Sequence, residues 1–315
     1  MTDQAARIKK SRIQLDARAR RLFLVSSGAP LALVLVVLAT LVMKSWPILT
    51  SRPLGELLTG VTWRPLHGEF GFSPFIAGTV WVTITALMIS VPPCILTALY
   101  LSEYAGQAIN SITKPLLDVL AAIPSVVYGV WGLVAIVPWV QNQVAPGVSN
   151  LLGFIPLFEN NNPTGFSILS GALVLAVMIV PFIISVTYEV LRSVPDGYRQ
   201  ASLALGATRW QTIRVAIIPQ VLPGLFAAIV LGASRAFGET IAVLMVVGNV
   251  VQVPGSIFDA GYPLPALIAN NYGEMLSIPM YDAALMSAAL ILLVMVMIFN
   301  IASQLVLRRF MRDRK

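Results

Sequence analysis

Apolar positions along this chain gather into six long blocks separated by shorter, more polar connections. The blocks are Leu22 to Met43, Phe75 to Leu101, Val119 to Val140, Ile168 to Tyr188, Val221 to Val247 and Ala283 to Val306. A helix needs roughly 20 mostly apolar residues to cross the hydrocarbon core of a bilayer, and each block reaches that length. The pattern predicts an all-α protein with six transmembrane helices. Pro92 and Pro93, Pro124 and Pro181 fall inside the blocks. Such prolines are tolerated in a bundle whose neighbours satisfy the freed backbone groups, so they mark expected kinks.

Composition agrees with this pattern. Hydrophobic residues make up 57% of the 315 and charged residues 11%, whereas a soluble domain carries about 25% charged residues. The first block is longer than a signal-peptide core and no A-x-A-like cleavage site follows it, so it is expected to be a retained span. A net charge of +7 would suit a nucleic-acid partner if the basic residues clustered with aromatics on one face; here they lie in tails and loops. Counting them gives orientation. With the amino terminus inside, inner segments hold seven Lys and Arg between Arg7 and Arg21, Lys114, four between Arg192 and Arg214, and five from Arg308 to Lys315. Outer segments hold only Lys44, Arg52 and Arg64, and the last two outer loops carry Glu159, Asp259, Glu274 and Asp282 with no Lys or Arg. Cytoplasmic loops carry the excess of Lys and Arg, so both termini are expected in the cytoplasm.

This divides the chain into a basic tail (1–21), a six-span domain (22–307) with a cytoplasmic loop at 192–219 and outer loops at 44–74, 141–167 and 248–282, and a second basic tail (308–315). The outer stretches 142–165 and 250–281 are rich in Pro, Gly and Asn, and read as loops with short interfacial helices. They are either plain connectors or a platform for an extracytoplasmic partner. A single cysteine, Cys94, and a single histidine, His67, allow neither a disulfide framework nor a multi-ligand metal site, and both are read as structural.

The inner connection "RSVPDGYRQASLALGATRWQTIRVAIIPQVLPG", residues 192–224, differs from the others. Pro195 and Asp196 give a helix start, Gly206 a tight turn, and a second amphipathic segment leads back to the membrane at Pro219. A helix lying on the membrane surface would suit Arg199, Arg209 and Arg214. Spacing points further. The segment resembles the coupling loop of ABC importer permeases, in which E-A-A is followed after three residues by Gly and, nine residues later, by I-x-L-P. Gln200, Ala201 and Ser202 occupy the first three positions, Gly206 the glycine, and Ala216, Ile217, Ile218 and Pro219 the end. Gln200, Ser202, Ala216 and Ile218 depart from the strict pattern, and Gln200 removes a charge only. The resemblance implies a helix docked in a groove of a separate ATPase subunit. No G-x-x-x-x-G-K-[ST] phosphate loop occurs in the chain, so no nucleotide cofactor of its own is expected and ATP would be bound by the partner.

The fifth block contains two charges, in "SRAFGETIAV". Arg235 stands about 13 residues from either end of the block, and an unpaired arginine there costs at least ~2.5–3.5 kcal/mol. Glu239, one helical turn on, is expected to neutralise it. As a buried pair the two are a weak source of stability, which favours a pathway role. Gly224, Ala228, Gly232, Ala236 and Thr240 form a stripe of small residues at four-residue spacing, expected to admit another helix closely, with a pathway between two subunits on its flank. The guanidinium fork matches an oxyanion, and a carboxylate beside it fits an anion that keeps a proton, as phosphate does and sulfate does not.

"SRAFGETIAVLMVVGN", residues 234–249, is similar to the corresponding span of the PstC-type permeases of phosphate ABC importers, through R-A-x-G-E-T, the following A-V, and G-N. The loop text "ASLALGATRWQTI" and the six-span layout fit the same family, so the resemblance covers nearly the whole chain. It implies a type I ABC importer permease (MetI-like) fold in the bacterial inner membrane and a non-enzymatic transport subunit. It also implies a PstA-type permease as heterodimer partner, two PstB-type ATPase subunits inside and a PstS-type phosphate-binding protein outside. Arg235 and Glu239 are the matching pathway residues; Thr240 and Asn249 are further candidates, the one able to bond back to its own helix and the other to cap it. A permease of the same fold for sulfate, molybdate or phosphonate shares the general loop motif. A secondary transporter leaves that motif unexplained, and no Ser/His, Cys/His or paired-Asp constellation supports an intramembrane enzyme.

Overall fold

The computed structural model describes the backbone of residues 2–273, 278 and 280–312, and side chains among these from 18 to 309. Glu274 and the side chains of Arg7, Lys9, Lys10, Arg12, Arg312, Arg314 and Lys315, all used in the charge count, lie outside the described residues.

Helix α1 (Thr2–Ser51) carries the first apolar block. A short helix α2 (Leu54–Thr59) and a hairpin of β1 (Trp63–Arg64) and β2 (Glu69–Phe70), paired Trp63↔Phe70 and Arg64↔Glu69, lead into α3 (Ser73–Glu103). Trp63 packs edge-on against Phe70 at 5.3 Å and Phe75 at 5.0 Å between ring centres, and lies 6.2 Å from Tyr281, binding the hairpin to the bundle end. Pro92 and Pro93 sit within α3 without ending it.

The third block departs from its expected bounds. Val119 belongs to an amphipathic helix α4 (Gln107–Ala122), and a new helix α5 (Ser125–Leu152) begins after Pro124. The cause is local: proline disfavours the α region for the residue before it, and Ile123 accordingly takes φ −63°, ψ 128°. Helix α5 contains two π-helical stretches, Gly132–Ile136 and Val140–Val144, and runs to Leu152, so residues 141–152 of the expected outer loop are helical.

Helix α6 (Ile168–Arg192) is the most enclosed span and holds Pro181 in its interior. It runs parallel to α3: Cys94 Sγ donates to the Val180 carbonyl at 3.7 Å, and the ends of both helices meet at Arg199. After helix α7 (Asp196–Ala204), helix α8 (Arg209–Phe237) returns along α6. A Cβ at Gly232 would lie 2.7 Å from Ile183 Cγ1, and one at Gly224 would overlap the Val190 side chain. The helix that approaches this small-residue stripe closely, at Gly224 and Gly232, is thus α6 of the same chain, with Ala228 and Ala236 buried beside them.

Beyond Phe237 the helix stops, and one turn, α9 (Ile241–Leu244), precedes an irregular segment, α10 (Leu264–Asn271) and the last span α11 (Tyr281–Arg312). The irregular segment is tied down by the helix starts it covers. Ile168 N–H donates to the Asp259 carbonyl at 2.9 Å and Leu169 N–H to Ile257 at 2.8 Å, satisfying two amides that the first turn of α6 leaves free. Leu264 N–H donates to Thr79 Oγ1 on α3 at 2.9 Å.

Candidate functional site

The two charged residues of the fifth block lie at a break. Arg235 is in the last turn of α8, Gly238 ends it, and Glu239 and Thr240 form the joint to α9. The expected continuous helix with Glu239 one turn above Arg235 is therefore not what forms. Helix α6 gauges depth. Arg235 lies over the Phe182 ring, 5.9 Å from guanidinium carbon to ring centre, and Gly232 meets Ile183. At 1.5 Å per residue, Phe182 is about 21 Å from one end of α6 and about 15 Å from the other. Arg235 is thus near mid-depth, as block length predicted, but at a helix end, with its side chain exposed on this chain's surface.

Among the described residues no salt bridge joins Arg235 to Glu239, so the expected neutralisation is corrected. Glu239 Oε1 instead accepts from the Ala242 amide at 3.3 Å, capping the first turn of α9. Thr240 Oγ1 donates to the Gly238 carbonyl at 3.3 Å. The break leaves a guanidinium at mid-depth with no salt bridge to a carboxylate among the described residues.

Sequence reasoning missed a second break at the same level. Leu117 of α4 shares a cavity wall with Ser185 and Tyr188, whereas Tyr128 of α5 clusters with Val174 and Met178, which brackets the Ile123–Pro124 joint at the middle of α6. Helix α9 packs on the first turns of α5: a Cβ at Gly129 would sit 3.2 Å from Ala242 Cα and would touch the Met245 sulfur. The signal was a proline followed by serine, which reads equally as a kink and as a helix restart. Two interrupted helices joined at mid-membrane supply backbone and side-chain polar groups to a cavity where continuous helices offer none.

Asn249 stands apart from this cluster. It adopts φ 54°, and its Nδ2 donates to the Leu244 carbonyl at 2.8 Å, closing the far end of α9. It lines a cavity of about 360 Å³ with Asn162, Thr164, Met245 and Val250. Nearby Val247 packs on Gly171, so Asn249 lies toward the end of the bundle where α6 starts.

The loop at the opposite end folds as its spacing suggests. Pro195 is extended (φ −57°, ψ 138°) before α7, Gly206 takes φ +81°, and Thr208 starts α8 with reciprocal bonds, its amide to Gln211 Oε1 at 2.8 Å and the Gln211 amide to its Oγ1 at 3.3 Å. Gln200, Ala201 and Gly206 are exposed. Ser202 turns inward, 3.0 Å from Thr212 Oγ1, and Pro219 is half-buried where α8 enters the bundle. Leu203, Leu205 and Trp210 are 47%, 89% and 57% exposed on this loop, an apolar patch that the motif pattern does not single out.

Residues 94–312 match the family of binding-protein-dependent transport system inner membrane components. The chain is 38% identical over 262 residues to a probable ABC transporter permease, YqgH, of Bacillus subtilis, spanning 82% of this chain and 78% of that protein. It is 34% identical to the phosphate transport system permease PstC of Haemophilus influenzae, over 90% of each chain, and 33% identical to PstC of Mesorhizobium japonicum, over 93% of each. In fold it is similar to a chain of the MetNI methionine ABC transporter in an inward-facing conformation, with a TM-score of 0.51 and 20% identity over 76% of this chain and 94% of that one. The fold is thus that of the MetI-like ABC importer permeases, with six apolar helices spanning the cytoplasmic membrane and other subunits completing the transporter. By the match of residues 94–312 and by relatives 33–38% identical over most of its length, the chain belongs to the binding-protein-dependent transport system inner membrane component family, and its relatives include PstC-type permeases.

Proposed function

We propose that this chain forms half of the membrane pathway of an ATP-driven phosphate importer, in the role of its PstC-type relatives. The observation that carries the reading is Arg235: a fixed positive charge at mid-depth, exposed at a helix break, with no carboxylate within 4.0 Å among the described residues. An anion crossing between two permeases would meet a guanidinium fork that holds it bidentately. Glu239 on the same joint would accept a hydrogen bond from a protonated oxyanion, which phosphate offers at neutral pH and sulfate does not. Thr240 and Asn249 are secondary positions along the way, Asn249 nearer the entrance.

The remaining roles follow from the same reading. The end bearing α7 faces the cytoplasm with both termini, as the positive-inside count suggests. Gln200, Ala201, Gly206 and the patch of Leu203, Leu205 and Trp210 seat in a PstB-type ATPase subunit, two of which supply ATP hydrolysis; Ser202 and Pro219 hold the loop's shape from behind. A PstA-type permease covers the face bearing Arg235, and a PstS-type binding protein delivers phosphate at the opposite end. The chain itself needs no cofactor.

Reconstitution of the chain with its ATPase, second permease and binding protein in vesicles tests this. ATP-dependent uptake of radiolabelled phosphate that excess sulfate leaves unchanged is the expected result. Suppression by sulfate would move the assignment to another oxyanion, and uptake without ATP would favour a secondary transporter.

A further inference from the structure

Helix α7 is tied to the ends of α3 and α6 by Arg199, a side chain whose donors are all used, while Ser202 ties it to α8 through Thr212. Arg199 Nε donates to Glu103 Oε2 at 3.1 Å and Nη2 to Glu103 Oε1 at 2.8 Å, a bidentate pair. Nη2 also donates to the Leu191 carbonyl at 3.0 Å, and Nη1 to the Val194 carbonyl at 2.7 Å and to Asp196 Oδ1 at 3.2 Å. A guanidinium has five N–H groups, and five bonds are present. The Arg199 and Glu103 side chains are 18% and 9% exposed, whereas Asp196 is 83% exposed and contributes little.

The placement of each partner is informative. Glu103 is the last residue of α3, where the helix dipole disfavours a carboxylate, so its position there calls for a cation against it. Leu191 is in the last turn of α6, whose terminal carbonyls have no partner within the helix. The bond to Glu103 also raises the Arg199 pKa above its ordinary value, with burial opposing and the nearby Glu103 and Asp196 charges adding to the rise. Arg199 therefore stays charged throughout the working pH range.

We infer that Arg199 is the positioning residue that makes α7 move as one body with the ends of α3 and α6, so that a displacement imposed on the loop reaches the spans flanking the pathway without being lost in a hinge. The inference rests on the proposed docking of α7 to an ATPase subunit. Its physical content is that a hydrogen-bonded, largely buried junction transmits motion, whereas a loop held only by its chain ends absorbs it. Lysine retains the charge but offers three donors on one nitrogen, which cannot span a carboxylate and two carbonyls in this fork.

The test uses the complete importer with its ATPase subunits, in a Cys94→Ala background, with spin labels at Tyr198 on α7, outside the proposed ATPase contact, and Tyr104 just past α3, both exposed. In the parent chain the inter-label distance is expected to stay fixed to within about 1 Å between nucleotide-free and ATP-bound states, less than the shifts common when helices move independently. In Arg199→Lys and Glu103→Gln the distribution should broaden, and ATP hydrolysed per anion imported should rise about fivefold or more, the coupling lost being of ordinary allosteric size. A parent distance that changes between nucleotide states overturns the inference whatever the variants do. So does Arg199→Lys with an unchanged distribution and unchanged stoichiometry. Failure of the parent chain to hold an ATPase subunit at all would contradict the docking reading itself. A fixed distance in an assembly that does not import phosphate would count against the substrate alone.

Discussion

A single arginine and the groups around it carry most of the chemical argument. Arg235 costs several kcal/mol at mid-depth unless protein, water or substrate surrounds it, and among the described residues it lies over the Phe182 ring and makes no salt bridge. The sequence made both charges visible, because nothing else ionisable stands in that block. It did not show that they fail to pair, since i and i+4 face each other only if the helix continues, and Gly238 ends it. Glu239 can now be examined separately. In Glu239→Gln the side-chain oxygen still accepts from the Ala242 amide, so α9 keeps its cap while the charge is lost. Phosphate uptake is expected to fall about tenfold, equivalent to one charge-assisted hydrogen bond. Uptake at the parent rate would leave Glu239 with a capping role only.

Helices and their joints separate what pattern could show from what it could not. Apolar block length located the crossings well because burial in lipid demands about 20 residues whatever the local geometry. Interruptions leave the length and hydropathy of a block unchanged, so the joint at Ile123–Pro124 and the break at Gly238 were hidden inside blocks three and five. The small-residue stripe was legible, but spacing alone does not name its partner; Val190 and Ile183 of α6 do. Gly232→Leu should therefore prise α8 from α6 within one chain, with an overpacking cost of about 1–3 kcal/mol and a lower unfolding temperature in detergent. Gly206 gives the opposite case. A Cβ there meets nothing within 4 Å, and the αL conformation costs a non-glycine residue only about 1–2 kcal/mol. Gly206→Asp should leave the amount of protein in the membrane near that of the parent while abolishing ATP-coupled uptake, because on the proposed docking the added charge would face the partner groove. Uptake that survives would place the ATPase contact elsewhere.

At the scale of the molecule, the proposed reading makes the chain one half of a pathway. Its two interrupted crossings meet α6 at mid-depth, and the loop clamped by Arg199 lies at the other end of the same helix that supports Phe182 and Ile183. Helix α6 thus links the loop to the break within about 15 Å of helix. With the loop end in the cytoplasm, a cysteine at Leu205 should react with a membrane-impermeant maleimide only in inside-out vesicles, and one at Val253 only in right-side-out vesicles; the reverse pattern would invert the topology. The central claim, that phosphate passes by Arg235, is tested most directly by phosphate uptake into vesicles holding the complete importer with Arg235→Gln. Loss of uptake to about a hundredth of the parent or less, with the ATPase subunits still bound, is the expected result, since a buried guanidinium–phosphate contact is worth about 2–3 kcal/mol or more. Phosphate flux equal to that of the parent would contradict it.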